Sequence, residues 1–392
     1  MSDAPVEGMA AAPAAPASAS EFSLRRALEE MVRRRASDLH LKVGRPPMLR
    51  VHGELAPTEL PVLRADDLKR CAEQLLGPRQ REEFAQNKEI DFAVGVQGLG
   101  RFRVNLFQQR GTLGFAFRAI PFEIPSMDEL ELPAVLEQIA LSPRGLVLVT
   151  GVTGSGKSTT LAAMIRHVNE QRSVNVVTIE DPIEFLYRDI RSLVSQREVG
   201  TDTISFHEAL RHVLRQDPDL VMLGEIRDRE SMETVLKAAN TGHTVMSTLH
   251  TTDASQTVSR IVSFFPPHQH GEIRALLSEA LRAIVSMRLI PRADGSGRVP
   301  AAEVLINTAA VSDRIRVGDQ IHTLRDLIAE GRSQYGMQTF DQSLMDLYRR
   351  GLITREAAMH YATNPSELAL RAAGIEASSD LTFDTGSGRG EV

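Results

Sequence analysis

The sequence predicts an α/β protein: an N-terminal α+β domain, a larger parallel-sheet domain, and a helical C-terminal region. Short segments of alternating apolar residues fill positions 22–121, continuous apolar strands alternate with helical stretches from 145 to 260, and helical spacing dominates after about Pro300. Period-two alternation leaves one face wet, which marks an antiparallel sheet. Unbroken apolar strands separated by helices mark βαβ units.

Composition narrows the function. The chain has 392 residues, enough for two or three domains. A formal net charge of -6 provides no global positive field for nucleic acid. With no Trp and 4 Tyr, an aromatic platform for stacking bases is not expected either. Cys71 is the only cysteine, which excludes an internal disulfide framework and any multi-cysteine zinc site. No apolar stretch approaches the roughly 20 residues needed to cross a bilayer. The N-terminus has no basic region followed by an apolar core, so it does not resemble a signal peptide. The expected location is cytoplasmic.

Along the chain, the Ala/Pro/Ser-rich lead 1–21 is expected to be disordered. Between Phe22 and Arg35, apolar Phe22, Leu24, Leu28, Met31 and Val32 roughly follow helical spacing with arginines between them. Such a helix either packs on its own domain or lies on a membrane surface. In "SDLHLKVG", Leu39, Leu41 and Val43 share a face, and "LRVHGEL" is a strand meeting a turn at Gly53. "EIDFAVGV", "RFRVNLF" and "GFAFRAI" continue the alternation and complete a domain over 22–121. A proline-punctuated, acidic linker spans 122–130, the parallel-sheet core 131–300 and the helical region 301–372. In that last region Leu344, Leu347 and Tyr348 share a helical face and Gly351 is a stop. The polar tail 373–392 is expected to be disordered.

The core opens with "GLVLVTGVTGSGKSTTLAAM", in which Gly151–Ser158 fit G-x-x-x-x-G-K-[ST] between a strand and a helix. That context makes the motif a phosphate-binding P-loop for ATP. Backbone N–H groups of Gly151, Thr153, Gly154, Ser155, Gly156 and the helix start can point at phosphate oxygens. Lys157 would neutralise the β- and γ-phosphates, the Ser158 hydroxyl would ligate Mg²⁺, and Thr159 is placed to assist.

Three more segments end in polar groups at comparable places: "NVVTIEDPIE" at Glu180 and Asp181, "DLVMLGEIRD" at Glu225, and "HTVMSTLHT" at His250. Ligands of parallel sheets sit beyond the carboxyl ends of the strands, so these ends are expected to face one crevice. Glu225 follows an apolar run and is the candidate for polarising the attacking water, with Glu180 second, as water positioner or outer-sphere metal ligand. His243 and His250 either hydrogen-bond the γ-phosphate or make structural bonds to strand-end carbonyls. Asp217 and Asp219 are expected to cap or terminate the preceding helix. A two-residue hairpin turn at Arg110-Gly111 would set Arg103 directly across from Arg118. Side by side, two arginines repel unless solvated or meeting an anion, and ordinary pairing with surface acids is the commoner arrangement.

Together "ASDLHLKVGRPP", "GRFRVN", "GVTGSGKST", "TIEDPIEF", "LRQDPDLVMLGEIRD", "TGHTVMSTLHT" and "GMQTFDQSL" resemble the retraction ATPases of type IV pili. These are the PilT/PilU group within the secretion ATPases that include GspE and PilB. The resemblance runs from about Phe22 to Arg371. It implies a PAS-like N-terminal domain joined to a RecA-like ATPase domain, assembled as a homo-hexameric ring. It makes Glu180 and Asp181 the Asp box, beside the metal; Glu225 the catalytic glutamate; and His243 and His250 the His box. It also implies that Arg103 and Arg118, fifteen positions apart, act as fingers at the nucleotide. The implied partners are an inner-membrane pilus platform protein of the PilC kind and a paralogous PilT-type motor, with the ring peripheral at the cytoplasmic face of the membrane.

The retraction motif AIRNLI is replaced by "AVSDRI", Ala310–Ile315, and the surrounding residues look closer to PilU, the accessory motor. A pilus-assembly or type II secretion ATPase is the alternative, but its four-cysteine zinc insertion cannot exist here. A RecA-like nucleic-acid translocase would need a basic channel, and a GTPase an N-K-x-D run that the chain lacks.

Overall fold

The computed structural model describes residues 22–373 except 52 and 122, so the expected disordered lead and nearly all of the tail lie outside the described residues. The chain divides into two compact units between Pro121 and Phe122.

The first unit runs α1 (Leu24–Arg33), β1 (Asp38–Lys42), β2 (Met48–Val51), β3 (Glu54–Pro57), α2 (Ala65–Leu75), α3 (Pro78–Asn87), β4 (Glu89–Val96), β5 (Gly100–Gln109) and β6 (Thr112–Ile120). Its six strands form an antiparallel sheet in the order β3-β2-β1-β6-β5-β4. The Ser23 hydroxyl caps α1 by accepting from the Arg26 N–H. The helix buries Ala27, Leu28 and Met31 in the same core as Leu39, Leu41 and Leu49, while Val32 stays 41% exposed. Its apolar face therefore packs on its own unit, and Arg25 pairs with Glu29 outside. Arg110 and Gly111 both take positive φ, 47° and 77°, the requirement of a two-residue I′ turn. The turn fixes the register: Gln109 pairs with Thr112 and Arg103 with Arg118. Phe102, Val104 and Phe117 then fill the core from the opposite face.

The second unit runs α4 (Val135–Ala140), β7 (Gly145–Thr150), α5 (Lys157–Gln171), β8 (Asn175–Glu180), β9 (Leu193–Glu198), α6 (Phe206–Val213), β10 (Leu220–Leu223), α7 (Arg229–Asn240), β11 (Thr244–Leu249) and α8 (Ala254–Ser263). It continues through α9 (His270–Ala280), β12 (Leu281–Pro291), β13 (Arg298–Ile306), α10 (Ala309–Val317), α11 (Leu324–Glu330), α12 (Arg332–Tyr335), α13 (Phe340–Arg349), α14 (Arg355–Tyr361) and α15 (Pro365–Ala372). The sheet order is β13-β12-β7-β11-β10-β8-β9, parallel throughout except for β13. Strands β7, β10 and β11 are buried along their whole length, as expected for strands covered on both faces.

The hairpin β12–β13 departs from expectation. Strand β13 carries the sheet to Ile306, past the point where helical structure was to begin. Pro300 sits inside it, tolerated because β13 is an edge strand whose missing N–H need not face a partner. Ile290, Val299 and Ala301 of this hairpin pack with Phe340 and Leu344 of α13. Burying each of the larger side chains, Ile290, Val299, Phe340 and Leu344, stabilises the unit by about 2 kcal/mol. The Thr339–Gln342 capping box starts α13, and the chain turns at Gly351, φ 69°. Asp219 does not cap a helix as expected: its Oδ2 accepts from the Asn175 N–H at 2.8 Å and ties β10 to the start of β8.

Candidate active site

Strand β7 is apolar up to Thr150, and the chain then needs a turn tight enough to enter α5 within a few residues. Gly151, Gly154 and Gly156 supply it with φ of 142°, 76° and 96°. Gly151 is confined as well as contorted, because a Cβ there would lie 2.5 Å from Ser155 Oγ and 2.7 Å from the Met287 carbonyl. Helix α5 begins at Lys157, so the N–H groups of its first turn have no carbonyl ahead of them and face the loop. They add a positive helix end to a ready anion cradle.

Lys157 Nζ donates to the carbonyls of Gly151 and Val152 at 2.8 and 3.0 Å. Burial lowers its pKa, partly offset by the carboxylates of Glu225 and Glu184. Glu225 lies beyond the end of β10. Its Oε2 accepts from Arg227 Nε at 2.9 Å, and its Oε1 lies 3.2 Å from His250 Nε2. Partial burial pushes its pKa up, but Arg227 and His250 outweigh this and hold the carboxyl below its ordinary value.

Glu180 behaves differently. It is 7% exposed, and burial raises its pKa despite the hydrogen bonds from Thr178 Oγ1 at 2.7 Å and Gln196 Nε2 at 3.0 Å. Gln196 also donates to the Phe185 carbonyl and accepts from the Tyr187 N–H, which fixes the loop after Asp181. Two carboxyl groups with opposed environments thus face one cavity, the ionised Glu225 and the buried Glu180.

That cavity, about 610 Å³, is lined by Thr153, Lys157, Ser158, Glu180, Asp181, Glu225 and His250 among others. Its size lies within the usual range for a small-molecule site. A second cavity of about 440 Å³ shares Gly156, Thr159, Leu289 and Arg298 with it and continues over apolar Leu130, Leu132, Met287 and Val299.

His243 does not join this group. It precedes β11, whereas His250 follows it, and the six residues of a strand separate them by about 20 Å. The His243 carbonyl accepts from the Gly145 N–H at the start of β7, the end of the sheet away from the loop. Its Nδ1 lies 3.2 Å from the Ala238 carbonyl, a structural contact within its own turn. Of the two histidines only His250 lines the cavity, whereas His243 makes the carbonyl contact that was the other reading of the pair. Arg103 and Arg118 are adjacent and exposed on the first unit's sheet, with Arg118 Nε bonded to Asp38 Oδ1 at 2.9 Å.

Arg227 and Arg298 also line the cavity and Gln196 bonds Glu180, three residues beyond those expected from the motifs. Arg227 was legible two residues after Glu225. Arg298 was not, because the hairpin that carries it went unread, and Gln196 comes from the edge strand β9.

Oxygen donors at Ser158, Glu180, Asp181 and Glu225 suit a hard cation such as Mg²⁺. Among the described residues no group of three His, Cys, Asp or Glu is placed to hold a metal by itself. A cation here would take its remaining ligands from phosphate and water, the usual arrangement for Mg²⁺. Among the described residues, no helix is long and apolar enough to cross a membrane.

The family described as type II/IV secretion system protein matches residues 119–371. The type IV pilus ATPase PilU of Pseudomonas aeruginosa is 43% identical over 343 residues, covering 88% of this chain and 89% of that protein. The type IV pilus retraction ATPase PilT of the same organism is 45% identical over 330 residues, 84% of this chain and 95% of that one. Among solved structures, the pilus retraction motor PilT with bound ADP superposes with a TM-score of 0.80 at 42% identity, covering 89% of this chain and 99% of that chain. The Legionella pneumophila ATPase DotB gives 0.75 at 28% identity, covering 92% and 99%. The second unit is accordingly RecA-like, the loop Gly151–Ser158 belongs to an ATPase, and the chain is a member of the type II/IV secretion system protein family, homologous to the pilus ATPases PilT and PilU.

Proposed function

We propose that this chain is a ring-forming, Mg²⁺-dependent ATPase whose hydrolysis cycle drives retraction of a type IV pilus. The meeting of the loop 151–159, Glu225 and His250 in one cavity supports the reading most directly. The phosphates lie along the loop and the first turn of α5, and Lys157 exchanges its carbonyl partners for phosphate oxygens. Ser158, Glu180 and Asp181 would hold Mg²⁺, directly or through water, and the cation would supply neutralisation of charge on the phosphates. Glu225, ionised at neutral pH, orients the attacking water and accepts its proton, while His250 holds the carboxylate in place. The base and ribose enter the adjoining apolar cavity beside Leu289.

A P-loop alone stabilises the transition state only in part, so further positive charge is needed. Arg103 and Arg118 supply it in a homo-hexamer, which makes turnover depend on ring closure. The ring sits at the cytoplasmic face of the inner membrane against a PilC-like platform protein. The altered segment "AVSDRI" on α10 favours an accessory, PilU-like role alongside a PilT-type motor. The assembly-ATPase reading is weaker, since the chain spans 52% of the PilB relative but 95% of PilT.

Phosphate release by purified rings tests the chemistry. Glu225→Gln should lower turnover by about 10²–10³-fold while nucleotide still binds, the usual scale for losing a positioned base. Full turnover in that variant refutes the assignment.

A further inference from the structure

Glu303 lies on β13, outside the nucleotide cavity, and is 6% exposed. A carboxylate buried in a sheet is costly, and an apolar residue would serve the fold with less strain on stability. Its surroundings suggest why it is there. Its Oε1 accepts from the Ala254 N–H at 2.9 Å, at the first residue of α8. In the sheet Glu303 pairs with Ser286, and Ser286 pairs with Thr150. Thr150 Oγ1 donates to Ser286 Oγ at 2.9 Å, one residue before Gly151. The carboxylate thus stands in the row of the sheet that carries the root of the phosphate loop.

Only Thr251, Thr252 and Asp253 separate His250 from α8. Leu249, the last residue of β11, holds His250 on one side, and so short a connector leaves little slack, so the start of α8 constrains it on the other. The connector is further braced by Thr251 Oγ1 against Thr257 Oγ1 at 2.6 Å, and Asp253 Oδ1 accepts from the Gln256 N–H at 2.8 Å. We infer that Glu303 is a positioning residue for ATP hydrolysis: by anchoring the N-terminus of α8 it sets His250 against Glu225. This rests on the proposed hydrolytic role of Glu225.

Charged groups face Glu303 from several elements: Asp253 at the start of α8, Arg288 on β12 and Arg325 on α11. Arg325 is itself bonded to Asp341 on α13 at 2.6 Å. Burial first, and then Asp253, push the Glu303 carboxyl up to about 7, against the bond from Ala254 and the two arginines. The anion is the better partner for a helix N-terminus, so its anchoring strengthens as pH rises through that value.

The test is steady-state ATP turnover by the full-length ring from pH 6 to 8.5. Glu303→Ala should lose about tenfold in kcat with KM nearly unchanged, as expected when a reacting group is misplaced. Glu303→Gln keeps an acceptor for Ala254 and should recover most of that loss, while the rise in turnover near pH 7 disappears. In a His250→Asn background, Glu303→Ala should cost almost nothing more. Wild-type kcat in Glu303→Ala, an equal loss without His250, or an unchanged pH profile in Glu303→Gln overturns the inference. If Glu303→Ala fails to fold, the pH profile of Glu303→Gln decides. An inactive wild-type ring, or an undiminished Glu225→Gln, sinks the ATPase reading instead and is distinguishable from these results.

Discussion

Replacing Gly151 by alanine places one methyl group where the structure leaves no room. The new Cβ meets Ser155 Oγ at 2.5 Å and the Met287 carbonyl at 2.7 Å. The serine can rotate, but the carbonyl belongs to β12, which is paired with β7, and cannot retreat without disturbing the sheet. The residue also keeps φ near 142°, a conformation costing a non-glycine residue about 1–3 kcal/mol. Strain and overpacking together amount to about 2–4 kcal/mol. For a unit of this size that lowers the melting temperature by about 5–10 °C. Relief of the clash must move the root of the loop, and a misplacement approaching 1 Å costs about 10²-fold in rate. Thermal melting and ATP turnover of the purified variant measure both effects. A Gly151→Ala variant that melts and hydrolyses like wild type would refute the close-packed cradle.

Three further outcomes follow from the same geometry. His250→Ala should reduce turnover far more than His243→Ala, because only His250 touches Glu225; equal losses in matched assays contradict the placement. Arg103→Ala and Arg118→Ala should each change stability by about 1 kcal/mol or less, as exposed groups do, yet sharply reduce turnover if they serve as the proposed fingers. Melting curves beside phosphate release separate the two effects, and unchanged turnover removes the finger assignment. Glu303 has its folded pKa raised from 4.5 to about 7, so the folded chain keeps a proton that the unfolded chain releases between those values. Stability is therefore fullest below the lower value and is lost as pH rises through the upper one, by about 3 kcal/mol. Wild type should lose melting temperature relative to Glu303→Gln between pH 5 and 8; parallel curves count against a buried, titrating carboxylate.

Local chemistry made much of this site legible. Gly151, Gly154, Gly156, Lys157 and Ser158 announce the loop because each is demanded by a turn, a charge or a ligand within a few residues. The register that sets Arg103 against Arg118 followed from one turn, Arg110-Gly111, since a two-residue hairpin loop leaves one pairing. Strands β7, β8, β10 and β11 declared themselves by unbroken apolar runs. What escaped was non-local or unpunctuated. Helix α9 passes into β12 at Leu281 with no glycine or proline between them, and Pro300 argued against a strand that tolerates it only as an edge. Gln196 reaches Glu180 only because β9 pairs beside β8, a contact that spacing does not encode. The two histidines were grouped by motif although the strand between them sets them at opposite ends of the sheet.

If ATP splitting beside Glu225 powers withdrawal of the pilus, cells whose own copy of this gene carries Glu225→Gln will show it in a count of their surface pili. The prediction is cells with excess pili that no longer crawl. Bald cells, or piliation and motility indistinguishable from the parent strain, would contradict it.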